Sequence, residues 1–492
     1  MHLIDNIISR VMSINPIQRQ SLIAMVSLLS VTAIGYVSTI YFAHLLGPAI
    51  LGTFFLFTTY YGIFALIRDG GFGGAAVKRI SEGKDQGQYF TAGVISQIVL
   101  MFVSIIILIL LASYLVGINE NELFYWLIIA LVIGTINGIS AIQIIGTARV
   151  GISQISNLTN TLSKIVVQVL AVFLGWGIGG LVLGFIFGMI VAIIINFKYI
   201  HLSLPKCNIT HFKGLFSFSF WAFLSAGGVL IFSYADTILI GIFMTPGDVG
   251  IYRIAFQLAA VASFLVLAFQ AVLFPWWSRW HAKNDIHMIE LSLSKATTYC
   301  LLLAIPVTAG GIILSEKLLY FLYGESFQSG ANALIILFFV QIANIFMLLL
   351  TMCLTAVNKP RESFMVTLVS AVLNIILNIM LIPVFGILGA AVATLLTMTV
   401  NALLAYILLK PVVKLSLERK SIYFMIVSST VMSVVVLVYY YYLGIENFLS
   451  LCAIILIGAG IYFIILFTLD KNLTKEIKNL LNSMQLPYIS GD

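Results

Sequence analysis

The stretch Tyr89–Val116 reads YFTAGVISQIVLMFVSIIILILLASYLV and holds no charged residue. A bilayer's hydrocarbon layer, about 30 Å thick, takes about 20 apolar residues in a helix, so this run is long enough to cross it. In lipid the backbone must satisfy its own hydrogen bonds, and a single segment does so only as an α-helix. Comparable runs recur from Ser21 to Leu469, at 20–43, 49–68, 89–116, 123–147, 155–175, 178–199, 214–241, 249–276, 288–314, 330–356, 363–383, 387–409, 421–443 and 448–469. The expected fold is all-α and integral to the membrane, with about fourteen transmembrane helices.

Composition agrees. Of the 492 residues 61% are hydrophobic and 9% charged, against roughly 25% charged in soluble chains, which excludes a water-soluble core. The net charge of +7 belongs to short loops between apolar segments and suggests no nucleic-acid partner. Taken alternately, those loops place Lys78, Arg79, Lys84, Arg149, Lys206, Lys213, Arg279, Lys359, Arg361 and Lys410 on one face, and Lys317 on the other beside Glu120, Glu122, Asp248, Glu316, Glu325 and Glu446. The positive-inside rule then predicts a multi-pass protein of the cytoplasmic (plasma) membrane with both termini in the cytoplasm.

The first twenty residues carry Asp5, Arg10, Pro16 and Arg19 and lack the compact apolar core of a cleaved secretory signal. Leu3, Ile4, Ile7, Ile8, Val11 and Met12 repeat at helical spacing, as do Leu473, Ile477, Leu480, Leu481 and Met484 near the other end. Both patterns predict helices resting on the membrane surface.

An internal repeat organises the spans. Pro-x-x-x-Gly occurs as Pro48 to Gly52 and again as Pro246 to Gly250, after the first span of each half. Gly-Ile-x-Gly occurs as Gly177 to Gly180 and as Gly386 to Gly389, near the end of each half. We therefore expect a six-helix lobe over 1–203, a cytoplasmic linker at 204–213, a second six-helix lobe over 214–412 and two additional helices with a tail over 413–492. The two lobes are expected to enclose a central cavity.

Polar side chains enter the spans in a pattern. Gln154, Asn157, Thr161, Lys164 and Gln168 follow steps of three and four residues, which put them on one face of the fifth span. Ser363, Thr367, Ser370, Asn374 and Asn378 form the corresponding stripe on the eleventh. Hydrogen bonding between helices accounts for such stripes without any ligand. Lys164 favours a cavity, because a charge in a span costs at least about 2.5 kcal/mol unless it meets water or a counter-ion. Arg253 and Lys295 are further cationic candidates, although each is near enough to a span end to snorkel. Asp236 calls for a cationic partner, and Arg68 and Asp69 adjoin the glycines Gly70, Gly71, Gly73 and Gly74, which loosen the helix there.

Other chemistries lack support. Cys207, Cys300, Cys353 and Cys452 are too far apart in sequence for a metal or redox motif, and the histidines are scattered, so no metal, catalytic residue or cofactor is expected. Gly175 to Gly180 matches Gly-x-Gly-x-x-Gly, but no strand precedes it and dinucleotide binding is rejected. Gly180, Gly184 and Gly188 read as a small-residue ridge for close helix packing.

The segment Val372-Leu-Asn374-Ile-Ile-Leu-Asn378-Ile-Met-Leu-Ile-Pro383-Val-Phe-Gly386-Ile-Leu-Gly389 resembles the eleventh-to-twelfth helix signature of the polysaccharide-transporter flippases. These form part of the multidrug/oligosaccharidyl-lipid/polysaccharide exporter superfamily. Asp236-Thr-Ile-Leu-Ile-Gly241 followed by Val249-Gly250-Ile-Tyr252-Arg-Ile-Ala255 resembles their seventh-to-eighth helix region, and Asp69-Gly70-Gly-Phe72 with Arg79 more loosely their second. The resemblance implies Wzx-like flipping of a polyprenyl-pyrophosphate-linked oligosaccharide to the outer leaflet, for polysaccharide or glycoconjugate biosynthesis, by alternating access. On that reading Lys164, Arg253 and Lys295 contact the anionic head, while Gln154, Asn157, Gln168, Asn374 and Asn378 hydrogen-bond sugar hydroxyls. Asp69, Asp236 and Arg68 pair charges or carry a coupling H+ or Na+, and glycan-pathway proteins are possible partners. The alternative is a cation-coupled multidrug antiporter on the same fold, although that branch generally has twelve helices. An enzyme acting on a lipid-linked donor would need catalytic groups in a substantial loop, and the loops here are short.

Overall fold

The computed structural model describes residues 16–118, 123–201 and 203–476. The surface helix expected over Leu3–Met12 and the tail residues Ile477, Leu480, Leu481 and Met484 lie outside the described residues. Among the described residues every regular element is helical, and twelve helices are long and apolar enough to cross a membrane. The difference from fourteen arises in two places. Spans 20–43 and 49–68 are two helical stretches, together α1 (Pro16–Asp69), that meet at Gly47, whose φ of 72° and ψ of 179° leave the helical region. Pro48 follows, and its fixed φ and missing N–H suit the first position of the second helical stretch, so the break falls at the expected proline–glycine motif. The seventh span falls within α7 (Ile209–Phe243), a helix of 35 residues.

The chain forms two compact units, the first ending at Gly250 and the second beginning at Ile251. The segment 204–213 leads into α7, which packs with α2 (Phe72–Ser81) in the first unit. From sequence, the glycines after Asp69 loosen the helix and no separate element is expected there. A ten-residue helix follows the break, because Ala75, Ala76 and Ile80 are buried against Phe90, Ala92, Ile142 and Leu215. Gly70 (φ 54°) and Gly71 (φ 78°) make the break before it, and a Cβ at Gly71 would collide with the Ser219 carbonyl of α7.

The rest of the first unit comprises α3 (Gln86–Leu110), α4 (Leu123–Gly146), α5 (Val150–Phe173) and α6 (Gly177–Phe197). α5 and α6 form a tight antiparallel hairpin. Gly175 (φ 85°) closes α5, with the Trp176 N–H donating to the Ala171 carbonyl and Gly175 N–H to that of Val172. The glycine-rich motif is thus a helix cap followed by a packing ridge. At the other proline–glycine motif, the two copies meet reciprocally: a Cβ at Gly52 would collide with the Pro246 carbonyl, and one at Gly250 with the Pro48 carbonyl. Only glycine permits that backbone approach.

The second unit continues α8 (Pro246–Ala259) through a 3₁₀ turn at Ala260–Ser263 into α9 (Phe264–Ala282). The eighth span is therefore interrupted, and Ser263 Oγ at the break donates to Gln341 Oε1 at 2.7 Å. Gln341 belongs to α11 (Ala331–Ala356), which packs on α10 (Ile286–Tyr323) and α13 (Ile387–Leu409). α12 (Pro360–Phe385) pairs with α13, while α14 (Arg419–Tyr442) and α15 (Phe448–Leu469) form a hairpin against α10. α10 extends past the expected end at 314 through Ser315, Glu316 and Lys317 to Tyr323, since a helix can continue into water beyond its apolar run.

Candidate functional site

The polar face of α5 opens on a cavity of about 460 Å³ within the first unit. Gln154, Asn157, Asn160, Thr161 and Lys164 line it from α5, Asn137 from α4, Val31 and Tyr61 from α1, and Phe185 and Met189 from α6. The α6 ridge makes this possible. A Cβ at Gly184 would sit 2.7 Å from the Lys164 carbonyl, and one at Gly188 would sit 2.9 Å from Lys164 Cβ. The α6 glycines thus pack on the polar face itself, against Asn160, Lys164 and Gln168, and leave those side chains the room that a Cβ would take.

Lys164 is half-buried and, among the described residues, forms no ion pair. It is the one charged group among the described lining residues. Opposite the amides stand Tyr61 and Phe185, with ring centroids 5.1 Å apart and planes at 82°. Tyr61 is fixed by its hydroxyl, which donates to Met189 Sδ at 3.4 Å, and by Gly134, where any Cβ would meet that hydroxyl. The cavity therefore offers one cation, several paired donor–acceptor amides and an aromatic edge.

Gln168, expected on this face, is directed elsewhere. It is buried and its Nε2 donates to the Leu181 carbonyl of α6 at 2.7 Å. Asn374 and Asn378 are fully buried within the second unit. Asn374 Nδ2 donates to Thr397 Oγ1 at 3.3 Å, and Asn378 Nδ2 donates to Asn374 Oδ1 at 3.0 Å, so the eleventh-span stripe joins α12 to α13. Lys295 forms an ion pair with Glu476 at 2.9 Å. Arg253 is half-buried and Asp236 is buried, and neither lines the cavity.

Asp69 and Arg68 differ in their hydrogen bonding. Asp69 Oδ1 accepts from Gln97 Nε2 at 2.7 Å and its carboxylate accepts from the N–H groups of Gly71 and Gly73, so it caps α2 across the glycine break. Arg68 is buried, and its Nε and Nη1 find no hydrogen-bond partner among the described residues. Gly138 of α4 leaves room for it, since a Cβ there would sit 3.3 Å from Nη1.

Sequence reasoning missed Asn137, Asn160 and Tyr61. Asn160 lies beside the stripe at helical spacing from Asn157 and Lys164. Asn137 is one of two amides, with Gln143, in a largely apolar fourth span. Tyr61 carried no signal, because an aromatic in a span is ordinarily packing.

Comparison with known proteins bears on what this arrangement serves. The Polysaccharide biosynthesis protein family matches residues 17–281, and the Lipid II flippase MurJ family matches residues 154–459. The chain is 29% identical over 441 residues to the "Probable low-salt glycan biosynthesis flippase Agl15" of Haloferax volcanii, covering 90% of this chain and 93% of that one. It is 26% identical over 464 residues to the "Probable flippase AglR" of the same organism, covering 92% and 95%. Lipid II flippase MurJ in an inward closed conformation superposes with a TM-score of 0.79 at 17% identity, over 92% of this chain and 100% of the other. An inward-facing multidrug resistance MATE family transporter gives 0.65 at 15% identity, over 78% and 97%. At such identities those two likenesses concern the fold alone. The family matches settle the affiliation: this chain belongs to the polysaccharide-biosynthesis flippases of the multidrug/oligosaccharidyl-lipid/polysaccharide exporter superfamily, which are transporters and not enzymes.

Proposed function

We propose that the protein flips a polyprenyl-pyrophosphate-linked oligosaccharide by alternating access, and that the Lys164 cavity receives the polar head of that cargo. The observation that carries the site is Lys164 itself: a half-buried ammonium with no ion pair among the described residues, facing a polar cavity from within a membrane span. An anionic phosphoryl group relieves the cost of holding that charge, and the protein charge in turn offsets the desolvation of the anion. Asn157, Asn160, Gln154 and Asn137 supply donors and acceptors for sugar hydroxyls, with Tyr61 and Phe185 offering an apolar surface to a sugar ring.

The charged residues of the basic loops support a cytoplasmic loading face, in the plasma membrane, with both termini on that side. We assign the drive to a gradient of H+ or Na+, or of the cargo, with Asp69 and the buried Asp236 as the candidate coupling carboxylates. A cationic drug would meet repulsion from Lys164 in this cavity, which disfavours the multidrug antiporter reading.

The test uses purified protein in vesicles loaded on one leaflet with a fluorescent lipid-pyrophosphate oligosaccharide. Transfer to the other leaflet above that of protein-free vesicles supports the reading, and equal rates refute it. Drug resistance conferred on a pump-deficient host would favour the antiporter.

A further inference from the structure

Lys295 is drawn away from any cargo role by a cluster at one end of the second unit. Its Nζ donates to Glu476 Oε1 at 2.9 Å, and Tyr299 OH, one turn further along α10, donates to Glu476 Oε2 at 3.0 Å. Both carboxylate oxygens of one residue thus grip one face of α10. Six residues earlier, Asp470 holds the next helix: its buried Oδ2 accepts from Ser421 Oγ of α14 at 2.6 Å, while Oδ1 accepts from the Leu473 N–H at 3.0 Å. The connection before α14 is tied to α10 as well, with Glu290 Oε1 accepting from the Lys414 N–H at 2.8 Å and Ser294 Oγ donating to the Ser416 carbonyl.

Inside the apolar zone the same three helices meet differently. An apolar cavity of about 310 Å³ separates them, bordered by Leu303, Val307 and Gly310 of α10, Met432 of α14, and Ile455 and Gly458 of α15. Tyr462 OH donating to the Leu302 carbonyl at 2.9 Å is the hydrogen bond that crosses beside it. An underfilled contact forfeits dispersion energy on both walls, and a methionine in it adapts to more than one spacing. The hairpin is therefore fastened at its end more than along its length.

We infer that Asp470–Glu476 is a latch: Glu476, on Lys295 and Tyr299, holds the α14–α15 hairpin against α10, and its release lets the hairpin swing from α10 and widen the apolar cavity. The inference does not depend on the proposed cargo, and neither does its test. Spin labels placed at the exposed positions His287→Cys and Lys420→Cys, in a background with the native cysteines replaced by serine, report the distance from α10 to α14 by double electron–electron resonance in nanodiscs. Glu476→Gln and Lys295→Met should each broaden that distribution toward longer distances. The charge exchange Lys295→Glu with Glu476→Lys should restore the narrow one. Single variants indistinguishable from the parent would overturn the latch, and so would an exchange that stays as broad as the singles.

Discussion

Gly188 of α6 lies directly against Lys164 of α5: a Cβ at the glycine would stand 2.9 Å from the lysine's Cβ and 2.7 Å from the Asn160 carbonyl oxygen. The charge that faces the cavity is held there by an absent side chain on the neighbouring helix. Packing and site are one arrangement.

Gly184→Val or Gly188→Val should therefore force α5 and α6 apart and cost about 1–3 kcal/mol, as overpacking does. Gly179 provides the contrast, because nothing lies within 4 Å of a Cβ there. Gly179→Ala should leave thermal stability unchanged or raise it slightly. Melting in detergent by tryptophan fluorescence checks both, and equal losses at Gly179 and Gly188 would contradict the packing role.

Gln168 and Asn157 belong to one sequence stripe but should behave differently. Gln168→Leu removes a buried bond to the Leu181 carbonyl and should cost about 1 kcal/mol in stability. Asn157→Leu, at an exposed position on the cavity, should leave stability within about 0.5 kcal/mol and lower cargo capture instead. Parallel melting and vesicle-transfer measurements separate the two effects.

The crossing of Gly52 and Gly250 brings backbone against backbone, where no flexible side chain can give way. Gly52→Ala and Gly250→Ala should each destabilise by about 1–3 kcal/mol. Both push apart the same crossing, so the double variant should lose less than the sum of the two. Additive losses would show two independent sites.

Acid should loosen the latch. The hydrogen bond from Lys295 holds the Glu476 carboxyl below its ordinary value, with Tyr299 donating as well and burial opposing. A depressed carboxylate contributes stability above its unfolded value, and that contribution is lost as pH falls through the lower folded value. Glu418 and Asp470 also face the cluster. Glu418 is raised, by burial first and then by Glu476 and Asp470 against Lys295, so its contribution runs the other way: present at low pH and lost as pH rises. Glu476→Gln should remove the loss seen below the usual glutamate range, measured as thermal stability against pH, and an unchanged acid limb would contradict the assignment.

Much of the fold is legible in the chain because lipid admits one solution for a long apolar segment, and the expected spans fall on helices, the eighth with a 3₁₀ turn inside it. α2 escaped because its buried face is built from glycine and alanine, which carry little hydropathy. The lysine stripe on α5 was readable by its spacing. Which of its members turn to the cavity was not, because that depends on the α6 ridge, and Gln168 finds a carbonyl where its neighbours find space. Lys295 looked like Lys164 in sequence. Its partner Glu476 lies 181 positions away, beyond the reach of any local pattern.

Lys164 is the one charged group among the described residues that line the cavity. Binding of a short-chain lipid-pyrophosphate oligosaccharide to the purified protein in nanodiscs, by microscale thermophoresis, should weaken roughly tenfold or more in Lys164→Gln, the loss of one charge-assisted contact. Lys164→Arg should retain part of the affinity, and melting should be unchanged in both. Equal affinity for the parent and Lys164→Gln would contradict the assignment of this cavity to the cargo's anionic head.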